Sequence, residues 1–163
     1  MLIDVIILGV DPGTAATGYG IIKKTKKGLK CLEYGCIETS PKKSHALRLK
    51  ELEEKLKKII KKHNPDIAAV EDIFFFKNLK TAMKVSQAKG VILLALAKAN
   101  IPIFEYTPLQ VKMGVCGYGK ADKQQVQRMI QVLLNLKTIP RPDDAADALA
   151  TAVCYLNSLG SRN

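Results

Sequence analysis

The sequence has no Cys-x-x-Cys pair and no histidine at metal-ligand spacing from a cysteine. That excludes a structural zinc site of the usual kind. Cys31, Cys36, Cys116 and Cys154 read instead as reduced, incidental thiols of a cytoplasmic protein. Cys31 and Cys36 are an odd number of residues apart, so on one strand they are expected to face opposite sides. A long apolar run is also missing. The longest, Gly90 to Ala97, is too short to span a bilayer, which argues against a membrane partner. The start, Met1-Leu-Ile-Asp4, has no basic leader, and no signal peptide is expected. There is no repeat, no low-complexity tract and no linker. Arginine is scarce: of 26 Lys+Arg only Arg48, Arg128, Arg141 and Arg162 are arginine. Acidic residues number only 15, which leaves a formal net charge of +11.

What is present suits a folded, basic domain. A chain of 163 residues has room for one full core, and 47% hydrophobic residues can supply it. Residues 1–163 are therefore read as a single domain. Lysine is a mobile point charge that suits phosphate, whereas arginine better reads base edges. The charge thus favours a nucleic-acid partner over mere solubility or a lysine-rich, thermophile-like surface.

Residues 3–10 form a continuous apolar run and predict a buried strand. Residues 17–24 and 29–38 predict two more strands, joined by a turn at 26–28, in an antiparallel meander. Residues 44–63 predict a helix capped by Ser44 and stopped by Asn64-Pro65, with Leu49, Leu52, Leu56, Ile59, Ile60 and His63 on one face. Its lysine face reads as solvated surface, and His63 as a residue favoured by the helix dipole. A strand at 66–71 follows, then a helix at 78–99 with Ala82, Val85, Ala88, Ile92, Ala95, Leu96 and Ala99 inward, then a strand at 101–105. A helical turn near 108–113, a Gly-rich loop at 114–120 and helices at 122–136 and 143–157 complete the chain. This order predicts an α/β fold, a mixed sheet with helices on both faces.

Four carboxylates stand at the edges of these elements. Asp11 ends the first strand at Asp-Pro-Gly, and Glu71 ends the fourth. Asp144 and Asp147, three apart, share one face of the last helix. Singly, Asp11 reads as a turn residue, Glu71 as an exposed strand end, and Asp143 or Asp144 as an N-cap or a favourable N-terminal charge. Asp147 lies a turn further in, where capping does not explain it. Acidic groups at the ends of buried strands cost stability unless a cation meets them. Together, in a basic chain, they predict a divalent-metal site acting on a phosphate backbone. Asp11-Pro-Gly-Thr followed by Gly-Tyr-Gly also resembles the phosphate loop of the actin and sugar-kinase ATPases. Those need two such domains, and no second Asp-x-Gly-Thr occurs here.

A more specific resemblance runs in order along nearly the whole chain. Ile7-Leu-Gly-Val-Asp-Pro-Gly-Thr with Thr17-Gly-Tyr-Gly, Val70-Glu-Asp-Ile-Phe, Gln87-Ala-Lys-Gly-Val, Phe104-Glu-Tyr, Gln110-Val-Lys, Gly119-Lys-Ala-Asp-Lys and Asp144-Ala-Ala-Asp-Ala-Leu-Ala resemble the RuvC family of Holliday junction resolvases. The resemblance implies a ribonuclease-H-like fold with a five-stranded mixed sheet, a homodimer, and magnesium-dependent cutting of four-way DNA junctions. It implies catalytic and metal-binding roles for Asp11, Glu71, Asp144 and Asp147, with two Mg²⁺ per site and Mn²⁺ as a substitute. One ion would be held mainly by Asp11 with Asp144 and Asp147, the other shared by Asp11 and Glu71. Lys112 and Lys123 are implied to hold the scissile phosphate, with Lys120 a weaker DNA-binding candidate; surface charge is the ordinary reading of each. Phe74 is the implied stacking ring, although the run Phe74-Phe75-Phe76 departs from the family pattern and leaves open which ring stacks. Partnership with the RuvA–RuvB branch-migration complex is implied as well. The alternatives are a YqgF-like protein of the same fold acting in RNA processing, and a non-catalytic junction-binding module.

Overall fold

The computed structural model describes residues 4–73 and 78–160. Five strands form one sheet: β1 (Val5–Asp11), β2 (Ala16–Thr25), β3 (Gly28–Glu38), β4 (Ile67–Glu71) and β5 (Ile103–Tyr106). Their order across the sheet is β3-β2-β1-β4-β5. β1, β2 and β3 pair antiparallel, as the short links between them require, while β1, β4 and β5 run parallel. The parallel strands need crossovers, and helices α1 (His45–His63) and α2 (Leu79–Lys98) supply them.

The sheet divides the core in two. On one face, Leu8, Val10, Ile21, Ala68 and Val70 pack against Leu52 and Leu56 of α1 and Ala88, Ile92 and Leu96 of α2. On the other, Ile7, Ile22, Ile67 and Ala69 pack against α3 (Pro108–Cys116), α4 (Lys123–Leu133) and α5 (Asp143–Gly160). The expected mixed sheet with helices on both faces is the observed architecture.

Helix ends follow local chemistry. Ser44 accepts a hydrogen bond from the Leu47 N–H at 3.4 Å, and Asn64 ends α1 in the left-handed region at φ 45°. His63 does more than meet the helix dipole, since its Nε2 lies 2.9 Å from Oε2 of Glu33 on β3. In α2 the inward face holds Val85, Ala88, Ile92, Ala95 and Leu96 as expected. Ala82 is only half-buried and Ala99 is exposed, because α2 stops at Lys98 and Ala99 caps it. Lys89, absent from the apolar pattern, is buried on that face.

Two further expectations are overturned. The glycine-rich segment from 114 is not loop throughout, since α3 continues to Cys116 and ends at Gly117 in the left-handed region at φ 78°. A capping box between Thr107 and Gln110 starts it, and Gly114 stays helical because only a glycine fits there: a Cβ would stand 2.7 Å from Sγ of Cys154 on α5. Cys31 and Cys36 do not face opposite sides. Ile21 pairs with Glu33 but Ile22 with Cys31, so Leu32 is an extra residue in a bulge. The bulge reverses the alternation, and both cysteines face α5; Cys31 packs on that side's core and Cys36 accepts a hydrogen bond from the Ala145 backbone. All four cysteines are free.

Candidate active site

β1 and β4 are neighbours in parallel register, with Val10 opposite Val70. The next residue on each, Asp11 and Glu71, therefore end their strands side by side. Alternation puts both on the α5 face, below Gly9 and Ala69. Helix α5 runs over this face at unusually close range. A Cβ on Gly9 would lie 2.0 Å from the Ala148 carbonyl oxygen, and one on Gly18 would lie 1.9 Å from that of Asp144. Only glycine in the strands, facing the buried Ala145, Ala148 and Ala152 in the helix, allows this contact. The contact carries Asp144 and Asp147 down onto the end of β1.

One carboxylate oxygen from each of Asp11, Asp144 and Asp147 lies within 4.8 Å of the other two. Glu71 joins the cluster through a hydrogen bond with Asp11. Burial, and then the charge of Glu71, push the Asp11 carboxyl far above the ordinary carboxylate range. Burial also raises Glu71 and Asp147; Lys123 works against the rise at both, and at Glu71 so does the Asp11 hydrogen bond. Asp11, Glu71 and Asp147, all held above their ordinary range, favour a cation that would offset their charge. Their donor set is oxygen only, drawn from two strand ends and one helix face. That chemistry fits hard divalent ions such as Mg²⁺ or Mn²⁺.

Lys123 opens α4, directly after the Asp122 cap. Its Nζ lies 3.4 Å from Oδ2 of Asp147 and 3.2 Å from Oδ2 of Asp143. Asp143 is further held by Gln127 at 3.1 Å and by Arg141. Burial opposes the Lys123 charge, but Asp147 and Asp143 outweigh it and hold the ammonium above the ordinary lysine range. Lys112 of α3 faces the same place: a cleft of about 260 Å³ is lined by Glu71, Lys112, Lys123 and Asp147 over an apolar floor of Val111, Val126 and Ala150. The structure thus brings together Asp11, Glu71, Asp144, Asp147, Lys112 and Lys123. Lys120 is exposed and lines no wall of this cleft. Phe74 lies outside the described residues.

With this geometry in view, comparison with known proteins places the chain. The profile of the family described as crossover junction endodeoxyribonuclease RuvC matches residues 7–155. The chain belongs to the RuvC family. The crossover junction endodeoxyribonuclease RuvC of Desulforamulus reducens is 55% identical over 150 residues, which covers 92% of each chain. Thermus thermophilus RuvC superposes with a TM-score of 0.87 at 31% identity over 96% of each chain. The same RuvC in complex with a Holliday junction substrate gives 0.88 at 28% identity over 97% of each. The ribonuclease-H-like fold implied by the sequence motifs is thereby shown.

Some residues at the RuvC-family site escaped the sequence reading. Lys89 on α2 pairs with Asp72, next to Glu71, and with Glu105 of β5. These three come from three separate motifs, and only the fold joins them. The available signal was a lysine on the inward, apolar face of α2. Arg48 is the other: its Nε donates to Thr39 Oγ1 at 2.9 Å and its Nη2 to the Thr14 carbonyl at 3.2 Å, which ties down the turn after Asp11. Nothing in the α1 pattern marked it.

Proposed function

We propose that this RuvC-family chain is a metal-dependent endonuclease that resolves four-way DNA junctions, with Asp11, Glu71, Asp144 and Asp147 as its catalytic and metal-binding residues. The observation that carries the reading is the convergence of Asp11, Asp144 and Asp147 within 4.8 Å, with Glu71 bonded to Asp11 and Lys123 against Asp147. Mg²⁺, as two ions or with Mn²⁺ in its place, would activate water and stabilise the leaving 3′ oxygen, giving 5′-phosphate and 3′-hydroxyl ends. The chain's own residues set the stage. The carboxylates, on two strand ends and a helix, would hold the hard cations. Lys123 and Lys112 offset phosphate charge as it builds in the transition state. The apolar floor of the cleft limits water around the reacting phosphate. Lys120 would meet DNA outside the cleft, and Phe74 would stack on a base.

The junction has two-fold symmetry and needs two nicks in strands of like polarity, so the working form is a homodimer. Leu79, Met83 and Leu94 expose 75%, 58% and 53% of their surface along α2, which supports that helix as the contact. Residues 1–163 form one nuclease domain in this reading. The protein works in the cytoplasm, with RuvA–RuvB as its branch-migration partner. Among the described residues no helix is long and apolar enough to cross a membrane.

The deciding experiment is cleavage of a synthetic mobile four-way junction with Mg²⁺ and with EDTA, against linear duplex and an RNA hairpin. Paired, symmetric, metal-dependent nicks confined to the junction are expected. Equal cutting of RNA would favour an RNA-processing role, and binding without nicking would leave only a junction-binding module. A single monomeric mass by light scattering at working concentration would remove the dimer.

A further inference from the structure

A second groove opens onto the carboxylate cluster from the other side of the sheet. It has a volume of about 390 Å³, and Asp144 closes one end. Its walls are the Gly13–Ala16 turn between β1 and β2, Arg48 of α1, and Thr81 and Lys84 of α2. It shares no residue with the Lys112–Lys123 cleft, which is walled by α3, α4 and α5. The acids thus stand between two cation-bearing clefts in different layers of the fold.

Among the described residues neither cation of the second groove is held in an ion pair, although the Asp144 carboxylate closes one end. By contrast, Lys50, Lys55, Lys57 and Lys62 of α1 each face a glutamate. Arg48 is also preorganised. Two of its five N–H donors hold Thr39 and Thr14, which fixes the guanidinium plane and leaves three donors for a ligand. Lys84 of α2 is exposed and adds a point charge to the lining of the same groove. A fixed fork and a flexible ammonium lining one groove suit a phosphodiester.

Resting on the junction-nuclease reading, we propose that the Arg48–Lys84 groove binds the sugar-phosphate backbone of the cleaved DNA strand beside the scissile phosphate. The strand then runs from one layer of the fold to the other, with its reacting phosphate over the carboxylates and flanking phosphates held by lysine on one side and by Arg48 and Lys84 on the other.

The test is junction binding across a salt series, in EDTA, by wild type, Lys84→Gln and Arg48→Gln, with thermal melting of each. One lost phosphate contact should reduce the steepness of log K against log salt by about 1 and weaken binding roughly five- to tenfold at 0.1 M salt. Nicking is then followed on junctions carrying one neutral methylphosphonate at successive positions beside the cut. In wild type one flanking position should slow nicking, and in Lys84→Gln the same substitution should add little. If Arg48→Gln does not fold, Lys84→Gln decides alone, since its side chain is exposed. Wild-type affinity, salt slope and methylphosphonate pattern in Lys84→Gln would overturn the groove and leave the nuclease standing. Failure of wild type to bind or nick the junction would remove both.

Discussion

The Lys123 ammonium stands 3.4 Å from the Asp147 carboxylate, within the same cleft as Glu71. A cation is thus built into the acid cluster, where it partly offsets charge before any metal or phosphate arrives. Lys123→Met should lower junction nicking by about 10²- to 10³-fold, the range for losing one preorganised charge stabiliser. The Mg²⁺ midpoint should stay the same or fall, because a cation that competes with the metal for Asp147 is gone. A higher midpoint with an unchanged maximal rate would assign Lys123 to metal recruitment instead.

Asp11→Asn should abolish nicking while sparing or tightening junction binding, because it removes negative charge near a phosphate. Gel-shift and nicking assays on one preparation separate the two effects. Residual metal-dependent nicking would rule out Asp11 as an essential ligand.

The cluster should also set how stability depends on pH. Asp11 ionises near 3.8 when unfolded, but burial and Glu71 raise it strongly in the fold. Above pH 4 the native state therefore holds a proton that the unfolded state has lost, so stability falls as pH rises toward the raised value. Glu71 and Asp147 are raised too and act in the same direction. Glu33 and Glu51 are held down at about 2, chiefly by Lys62 and Lys43, so their contribution is lost only on the acid side. Metal-free melting temperatures should decline between pH 5 and pH 9, and either Mg²⁺ or Asp11→Asn should flatten the decline. A flat metal-free profile would show that the acids ionise freely.

Gly18→Ala would push a methyl group into the Asp144 carbonyl, 1.9 Å from where the Cβ must go. Overpacking of this kind costs about 1–3 kcal/mol. Because α5 must shift, nicking should fall further than the stability loss explains, while junction binding persists. Chemical denaturation beside a nicking assay checks both halves. Wild-type nicking in Gly18→Ala would show that α5 can yield without disturbing Asp144.

Lys89 ties Asp72 and Glu105 together behind Glu71. Its ammonium stem is buried but both acids are half-exposed, so Lys89→Met should cost about 1–2 kcal/mol, below the cost of breaking a fully buried pair. Lys89→Arg should restore part of the loss. Equal melting of Lys89→Met and wild type would make the triad energetically neutral.

Much of this was legible in the chain because the signals were local. Strand-end acids, a three-residue spacing on α5 and the amphipathic pattern of α1 each report a neighbourhood of a few residues. What stayed hidden depends on register or on contacts across the fold. The extra residue at Leu32 shifts β3 by one position, so Cys31 and Cys36 share a face that simple alternation denies them. Gly114 reads as loop until Cys154 of α5 is seen to need the space. Arg48 and Lys89 look like ordinary helix-face cations until the partners they meet in the fold are known. The acids were found individually from sequence, but their convergence depends on Gly9 and Gly18, whose role is visible only once α5 lies over them.

The close seating of α5 on Gly9 and Gly18 has a mechanical corollary. The gap between Asp11 and the α5 acids is gauged by main chain resting on main chain, with only the Ala152 methyl group, which has no rotamers, beside it. Rotamer hopping in the core therefore cannot widen or narrow it. Two rigid bodies in hard contact behave as a caliper set at one opening, and warming should leave that opening unchanged until α5 lifts away as a unit.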